Sequence, residues 1–225
     1  MGRMYLIPGW FYGYDIFFEI IFGLITLFVA WNAFKIYKIS EEKNTRNFGI
    51  GFLLVSLSYF IWACINIFIV SDIGGERELS VSNILLLSTI SIYLQIALFI
   101  AGLALIVSMT LKTKEMRAFE LILAISLSAI CFSLNKFTAT YSIASIFLLF
   151  ISVYYISEFN RKKNKTTCMI AMAFSLMFLG TIGLLFAGSV YLTYVISHIV
   201  ILIAYSIILI SLIKILKHGE KKKQA

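Results

Sequence analysis

Residues 191–216 read YLTYVISHIVILIAYSIILISLIKIL, an apolar stretch whose one full charge is Lys214. A run of this length exceeds the ~18–20 residues that carry a helix across ~30 Å of hydrocarbon. Working back toward the N-terminus, six further runs of the same kind fall at about 14–37, 47–70, 82–111, 117–135, 138–157 and 167–188, the fourth and fifth being the shortest. The chain is 61% hydrophobic and only 13% charged, well below the ~25% charge of soluble domains. The runs are continuously apolar and lack strict alternation, which excludes a closed β-barrel. The expected fold is therefore all-α: a polytopic membrane protein whose residues 1–225 form a single seven-transmembrane-helix bundle, with 217–225 as a basic cytoplasmic tail.

Charge placement orients that bundle. Lys35, Lys38, Lys43 and Arg46 lie between the first two runs, Lys112, Lys114 and Arg117 between the third and fourth, and Arg161, Lys162, Lys163 and Lys165 between the fifth and sixth. Lys214, Lys217, Lys221, Lys222 and Lys223 follow at the C-terminal end, whereas the opposite side holds Arg3, Arg77 and Lys136 together with Asp72, Glu76 and Glu78. The positive-inside rule then predicts an N-terminus outside and a C-terminus in the cytoplasm of a multi-pass protein of the cell membrane. The net charge of +8 reads as contact with anionic lipid at the basic cytoplasmic face. No basic domain accompanies it, so nucleic acid is not an expected partner.

The first thirteen residues lack the apolar core and small-residue cleavage site of a signal peptide, and are expected to be retained. Tyr5, Trp10, Phe11, Tyr12 and Tyr14 suit an aromatic belt at the outer headgroups, with a turn at Pro8-Gly9. Cys64, Cys131 and Cys168 stand apart and read as buried small hydrophobes. Similar helix openings at Gly51 (GFLLVSLS), Leu121 (LILAISLS) and Ile170 (IAMAFSLM) suggest three helical hairpins plus a seventh helix.

Ionisable and amide groups at membrane depth are the functional candidates, since a charge there costs about 2.5–3.5 kcal/mol on insertion scales. Asp15 and Glu19 are spaced i, i+4 and share one face of helix 1. At 1.5 Å per residue, Glu19 lies about 7 Å and His198 about 10 Å inside the outer boundary. Asn66 falls in the same layer, and Gln95 lies deeper. First and last helices are commonly neighbours in a closed bundle, so Glu19 and His198 are expected to meet, with Asn66 close by. A carboxylate–imidazole pair of this kind changes charge between about pH 5 and 8. The residues alone equally allow a shared pocket without a direct pair, or separate bonds to backbone and outer-face water. Tyr59, Trp62, Tyr93, Tyr191 and Tyr194 surround the layer and are candidate pocket walls, although aromatics are also the residues of packing and interface anchoring. Gly180, Gly183 and Gly188 on helix 6, and Gly102 with Ala97, Ala101 and Ala104 on helix 3, predict close helix contacts.

No catalytic set emerges. Glu41-Glu42-Lys43-Asn44-Thr45-Arg46 matches the EExxxR string of intramembrane CAAX-type proteases, but it sits in a cytoplasmic turn, and the chain has only two histidines, His198 and His218. The same scarcity argues against zinc or haem, and no glycine-rich phosphate loop is present. No enzyme activity, metal or cofactor is therefore expected. Helix 7 has no lysine midway for retinal, and Pro8 is the sole proline, unlike G-protein-coupled receptors and PQ-loop sugar transporters.

The order of charges, the hairpin spacing, and the basic turn Lys35–Arg46 leading into GFLLVSLSYF resemble the seven-helix input regions of prokaryotic signalling proteins such as histidine kinases. The resemblance covers the whole chain and implies a sensor whose bundle feeds a coiled coil and kinase. With the sequence ending at Ala225, such a sensor would signal to a separate cytoplasmic protein or to a second copy of itself. Two classes follow: a sensor- or receptor-like bundle with a proton- or small-ligand-responsive outer layer, and a small permease or structural subunit of a membrane complex. A permease calls for polar groups through the cytoplasmic half. Below Gln95 the chain offers mainly Ser and Thr, and no membrane proline breaks a helix, which favours the sensor or structural readings over a permease.

Overall fold

In a computed structural model, which describes residues 14–73, 81–111, 116–187 and 191–224, seven α-helices account for nearly every described residue. They are α1 (Tyr14–Ser40), α2 (Lys43–Ile73), α3 (Val81–Thr110), α4 (Met116–Phe132), α5 (Lys136–Lys162), α6 (Lys165–Phe186) and α7 (Tyr191–Gln224). Six are long and apolar enough to cross a membrane; α4, at 17 residues, is the exception. The chain thus has the build of a multi-pass membrane protein. The aromatic segment before Tyr14, the polar residues Glu76, Arg77 and Glu78, Lys112, Lys114 and Gly188 lie outside the described residues. The basic tail is not a separate stub, because α7 continues through it to Gln224.

Local sequence sets the helix ends. Asn135 caps α5 by accepting from the Thr138 N–H at 3.2 Å, and Asn164 caps α6 by accepting from the Thr166 N–H at 3.1 Å. The Lys136 ammonium donates back to the carbonyls of Cys131 and Ser133, at 2.6 and 2.7 Å, covering the exposed C-terminal end of α4. The α1–α2 and α5–α6 turns each pivot on one non-glycine residue in the left-handed region, Glu41 (φ 56°) and Lys163 (φ 48°). Their N–H groups reach back to the Tyr37 and Phe159 carbonyls, at 2.8 and 2.7 Å.

Packing closes α1, α2, α3, α5, α6 and α7 into a ring in that order, with α1 against α7 and α3 against α5. α4 lies outside, against α3 and, more thinly, α5. The N-terminal ends of α1 and α7 meet, and Trp62 near the far end of α2 touches Phe137 at the start of α5. The odd-numbered helices therefore run one way, and α4 returns the chain along the flank of the bundle.

On α1 what turns inward is mostly small or polar, and what turns outward is large and apolar. α1 turns Gly23, Thr26, Ala30 and Ala33 inward, and Phe17, Leu24, Leu27, Phe28 and Trp31 outward. In lipid the apolar tails compete with any apolar core, so small residues that admit a neighbouring backbone decide the contact face. Buried hydroxyls mostly bond the preceding turn, as Thr26 does to the Phe22 carbonyl at 2.6 Å. Among the serines, some tie helices together: Ser56 Oγ donates to the Gly23 carbonyl at 2.8 Å, and the Ser152 and Ser175 hydroxyls lie 2.6 Å apart. The cysteines depart from expectation, since Cys64 and Cys131 are exposed and Cys168 is half-buried. A thiol is small and weakly polar enough to sit on a lipid-facing surface.

Glycines set two crossings. A Cβ on Gly102 would come within 2.6 Å of the Gly51 carbonyl oxygen, and one on Gly180 within 2.6 Å of Ile201 Cγ1; Gly183 would meet Ser197 Oγ. Gly102→Ala is therefore expected to destabilise the protein by about 1–3 kcal/mol in a thermal melt in detergent, as overpacking does. Leu94→Ala on the exposed face of the same helix is expected to change stability by less than about 0.5 kcal/mol.

Candidate functional site

Where the N-terminal ends of α1 and α7 meet the C-terminal part of α2, three ionisable side chains are withdrawn from the surface: Asp15 (5% exposed), Glu19 (4%) and His198 (8%). The i, i+4 spacing sets both carboxylates on the inward face of α1, as their sequence positions predict. They serve different neighbours. Asp15 Oδ1 accepts from the Tyr194 hydroxyl at 2.6 Å and faces His198 Nε2 at 3.5 Å, both from α7. Glu19 turns to α2, where Asn66 Nδ2 spans its two oxygens at 3.2 and 3.1 Å and the Trp62 side chain is a further donor.

The expected Glu19–His198 pair is thus replaced by Asp15–His198. α7 meets α1 one turn nearer its N-terminus than depth counting suggests, and Glu19 is already claimed by the opposite flank. Asn66 sits where it was expected. Of the wall candidates, Tyr59, Trp62 and Tyr194 join the layer, whereas Tyr93 is 41% exposed on the outside of α3 and lines nothing. Gln95 does not close on the acidic layer. Its Oε1 is buried without a hydrogen-bond partner, as is Ser145 Oγ on the facing α5.

Several participants escape a sequence reading. Phe18 and Phe22 bracket the imidazole, their ring centroids 5.9 and 5.8 Å from it, Phe22 stacked at 20°. The Tyr59 and Tyr205 hydroxyls approach to 3.1 Å at the floor of the layer. Tyr141 reaches the electrostatic surroundings of Tyr194 from α5. The signal for Tyr205 is its place on the face shared by Tyr194, His198 and Ile201 of α7. Phe22 carries the same signal on α1, three residues beyond Glu19 and seven beyond Asp15 on one face.

Proton bookkeeping gives the layer its chemistry. His198 Nδ1 lies 2.9 Å from the Tyr194 carbonyl, which can only accept, so Nδ1 carries a hydrogen. Asp15 Oδ1 already accepts from Tyr194. An attractive contact between Nε2 and Oδ1 therefore needs one further proton, held on either the imidazole or the carboxyl. Glu19 lies within electrostatic range of Asp15, so charge on one carboxylate is felt by the other. Among the described residues no group of three or more His, Cys, Asp or Glu is disposed to hold a metal ion.

A double-mutant cycle between Asp15→Asn and His198→Gln is expected to show coupling of about 0.5–3 kcal/mol in thermal stability, whereas Glu19→Gln with His198→Gln is expected to be additive within about 0.5 kcal/mol. Gln95→Leu removes a buried oxygen that lacks a partner; it is expected to stabilise the bundle by about 1 kcal/mol, read as a raised melting temperature. No family model, curated protein or solved structure matches the chain, and the reading of this layer accordingly rests on its own chemistry.

Proposed function

We propose that this chain is a sensor- or receptor-like membrane bundle whose outer layer responds to protons, and which passes its state through α7 to a partner at the basic cytoplasmic end. The observation that carries this reading is the Asp15–His198 contact, which is attractive with one shared proton and loses its hydrogen bond without it. Loss of that proton removes the attraction between His198 and Asp15, leaving Tyr194 as the α7 donor to Asp15 while Glu19 stays tied to α2. A proton in this position has different affinity for two arrangements of α7, as any ligand must to shift an equilibrium. His198 supplies a group whose ordinary titration range lies near physiological pH.

The orientation that suits this role has the layer on the outer side and the sixteen basic residues of the other face in the cytoplasm. That face would lie against anionic headgroups and meet a signalling protein or a second copy of the chain. It requires α4 to cross the membrane, at about 26 Å for 17 residues against ~30 Å of hydrocarbon. A slightly short span is accommodated by local bilayer thinning. No catalytic role is proposed for any residue.

Trp62 touches Glu19 and offers a built-in reporter. With Trp10→Phe and Trp31→Phe, the emission of Trp62 in nanodiscs is expected to shift between about pH 5 and 8, and to stay flat when Asp15→Asn or His198→Gln is added. A flat response in the parent would count against the proton reading. Compartment-specific reporters at Met1 and Ala225 are expected to answer from opposite sides of the membrane; the same side for both would remove the orientation.

A further inference from the structure

The ring has a second regularity, carried by its backbone. α1 and α5 are both 27 residues long. One shift of 122 residues lays Tyr14 on Lys136, the left-handed Glu41 on the left-handed Lys163, and the first residue of α2, Lys43, on the first of α6, Lys165. The capping bond moves with it, from Tyr37 to Phe159.

Burial follows the same shift. Phe22, Gly23, Thr26, Val29 and Ala30 of α1 fall on Ala144, Ser145, Leu148, Ile151 and Ser152, which are five of the six buried residues of α5. Gly49, Gly51, Phe52, Val55 and Ser58 of α2 fall on Ala171, Ala173, Phe174, Met177 and Gly180, five of the six in α6. A shift of 105 lays Ile96, Phe99, Ile100, Leu103, Ile106 and Val107 of α3 on Ile201, Ala204, Tyr205, Ile208, Ser211 and Leu212 of α7, all buried. Exchanging the two triplets maps the α1/α7 seam onto the α5/α3 seam and leaves the order of the ring unchanged. α4 has no counterpart and lies outside.

The acidic layer breaks this equivalence. Asp15 and Glu19 fall on Phe137 and Tyr141, so one seam carries a buried carboxylate clasp and its counterpart does not. The Asp15 bonds to Tyr194 and His198 join the first triplet to the second, whereas the Glu19 bonds to Asn66 and Trp62 stay within the first.

We infer that α1–α3 and α5–α7 are two copies of one three-helix unit, related by an approximate two-fold axis along the membrane normal, and that they shift as bodies on the α1/α7 and α3/α5 seams with Asp15 as the outer latch. Parallel repeats of this kind move against one another by rocking about the interface between them. Within each unit, glycine crossings and serine bonds hold neighbouring helices together, as Gly51–Gly102 and Ser56–Gly23 do in the first, and Gly180–Ile201 and Ser152–Ser175 in the second. The seams between units are packed more thinly, with the Tyr59–Tyr205 hydroxyl contact crossing from α2 to α7 beside the Asp15 bonds.

The test uses the full chain in nanodiscs, with Cys64, Cys131 and Cys168 replaced by alanine. Spin labels go in pairs at four outward positions near the outer ends: Phe17 on α1, Leu87 on α3, Thr138 on α5 and Leu192 on α7. Electron–electron distances Phe17–Leu192 and Leu87–Thr138 span the two seams, and Phe17–Leu87 and Thr138–Leu192 stay within one unit. Asp15→Ala is expected to lengthen or broaden the seam distances by about 5 Å, the scale of a one-turn displacement, with the within-unit distances unchanged. Tyr194→Phe, which keeps every ring in place, is expected to do the same to a smaller degree and serves if Asp15→Ala does not fold. All four distances moving alike, or none moving in either variant, would overturn the inference. The inference does not depend on protons: a flat Trp62 titration beside intact seam shifts would remove the sensing reading and leave the two-unit motion standing.

Discussion

One end of this bundle depends on a carboxylate withdrawn into the packing between helices. Asp15 sits at 5% exposure in a setting where an uncompensated charge is costly, and α7 meets that cost with a phenol and an imidazole one turn apart. Those two groups must come from the same helix at the same height, which sets how far α7 can slide along α1. Glu19 fixes α2 in the same way through an amide and an indole. Two neighbouring acids on one helix face thus specify the heights of both flanking helices. Below them the aromatic floor of Phe22, Tyr59 and Tyr205 leaves little polar surface unpaired.

Much of the architecture is legible in the residues. Run lengths place all seven helices, and the adjacency of α1 and α7 follows from closing the bundle. The inward face of α1 follows from its i, i+4 acids. Three features are not legible, for physical reasons. Counting 1.5 Å per residue gives depth along a helix but not the height at which two helices cross, so Glu19 stands where Asp15 does the bonding. The outward turn of Tyr93 depends on which face α3 lends to α2 and α5, and small residues decide that through packing rather than through hydrophobic period. The extent of α4 depends on Ser133-Leu134-Asn135 and the Lys136 cap, which stop the helix before the apolar run ends.

The repeat is the clearest case of structure outrunning sequence. Similar serine-bearing openings suggest three hairpins, beginning near Gly51, Leu121 and Ile170. The backbone also aligns α1 and α2 with α5 and α6, in a register that pairs Gly51 with Ala173. The equivalent left-handed turns are made by glutamate in one copy and lysine in the other, neither of which advertises the conformation as glycine would. What is shared is burial at each matched position, with residues as different as Phe22 and Ala144 or Ile100 and Tyr205, and burial leaves little mark on a sequence where most residues are apolar.

The shortest of the seven helices carries an unexpected responsibility. If the chain threads as proposed, α4 decides during synthesis the parity of everything that follows it. Were it to lie on the surface instead of passing through, the last three helices would enter the bilayer upside down. His198 and Tyr194 would then mature in the opposite leaflet from Asp15, and a carboxylate with no counterpart would be left within the lipid. Under that threading, the passage of a short segment would be checked afterward by whether an acid and an imidazole find one another.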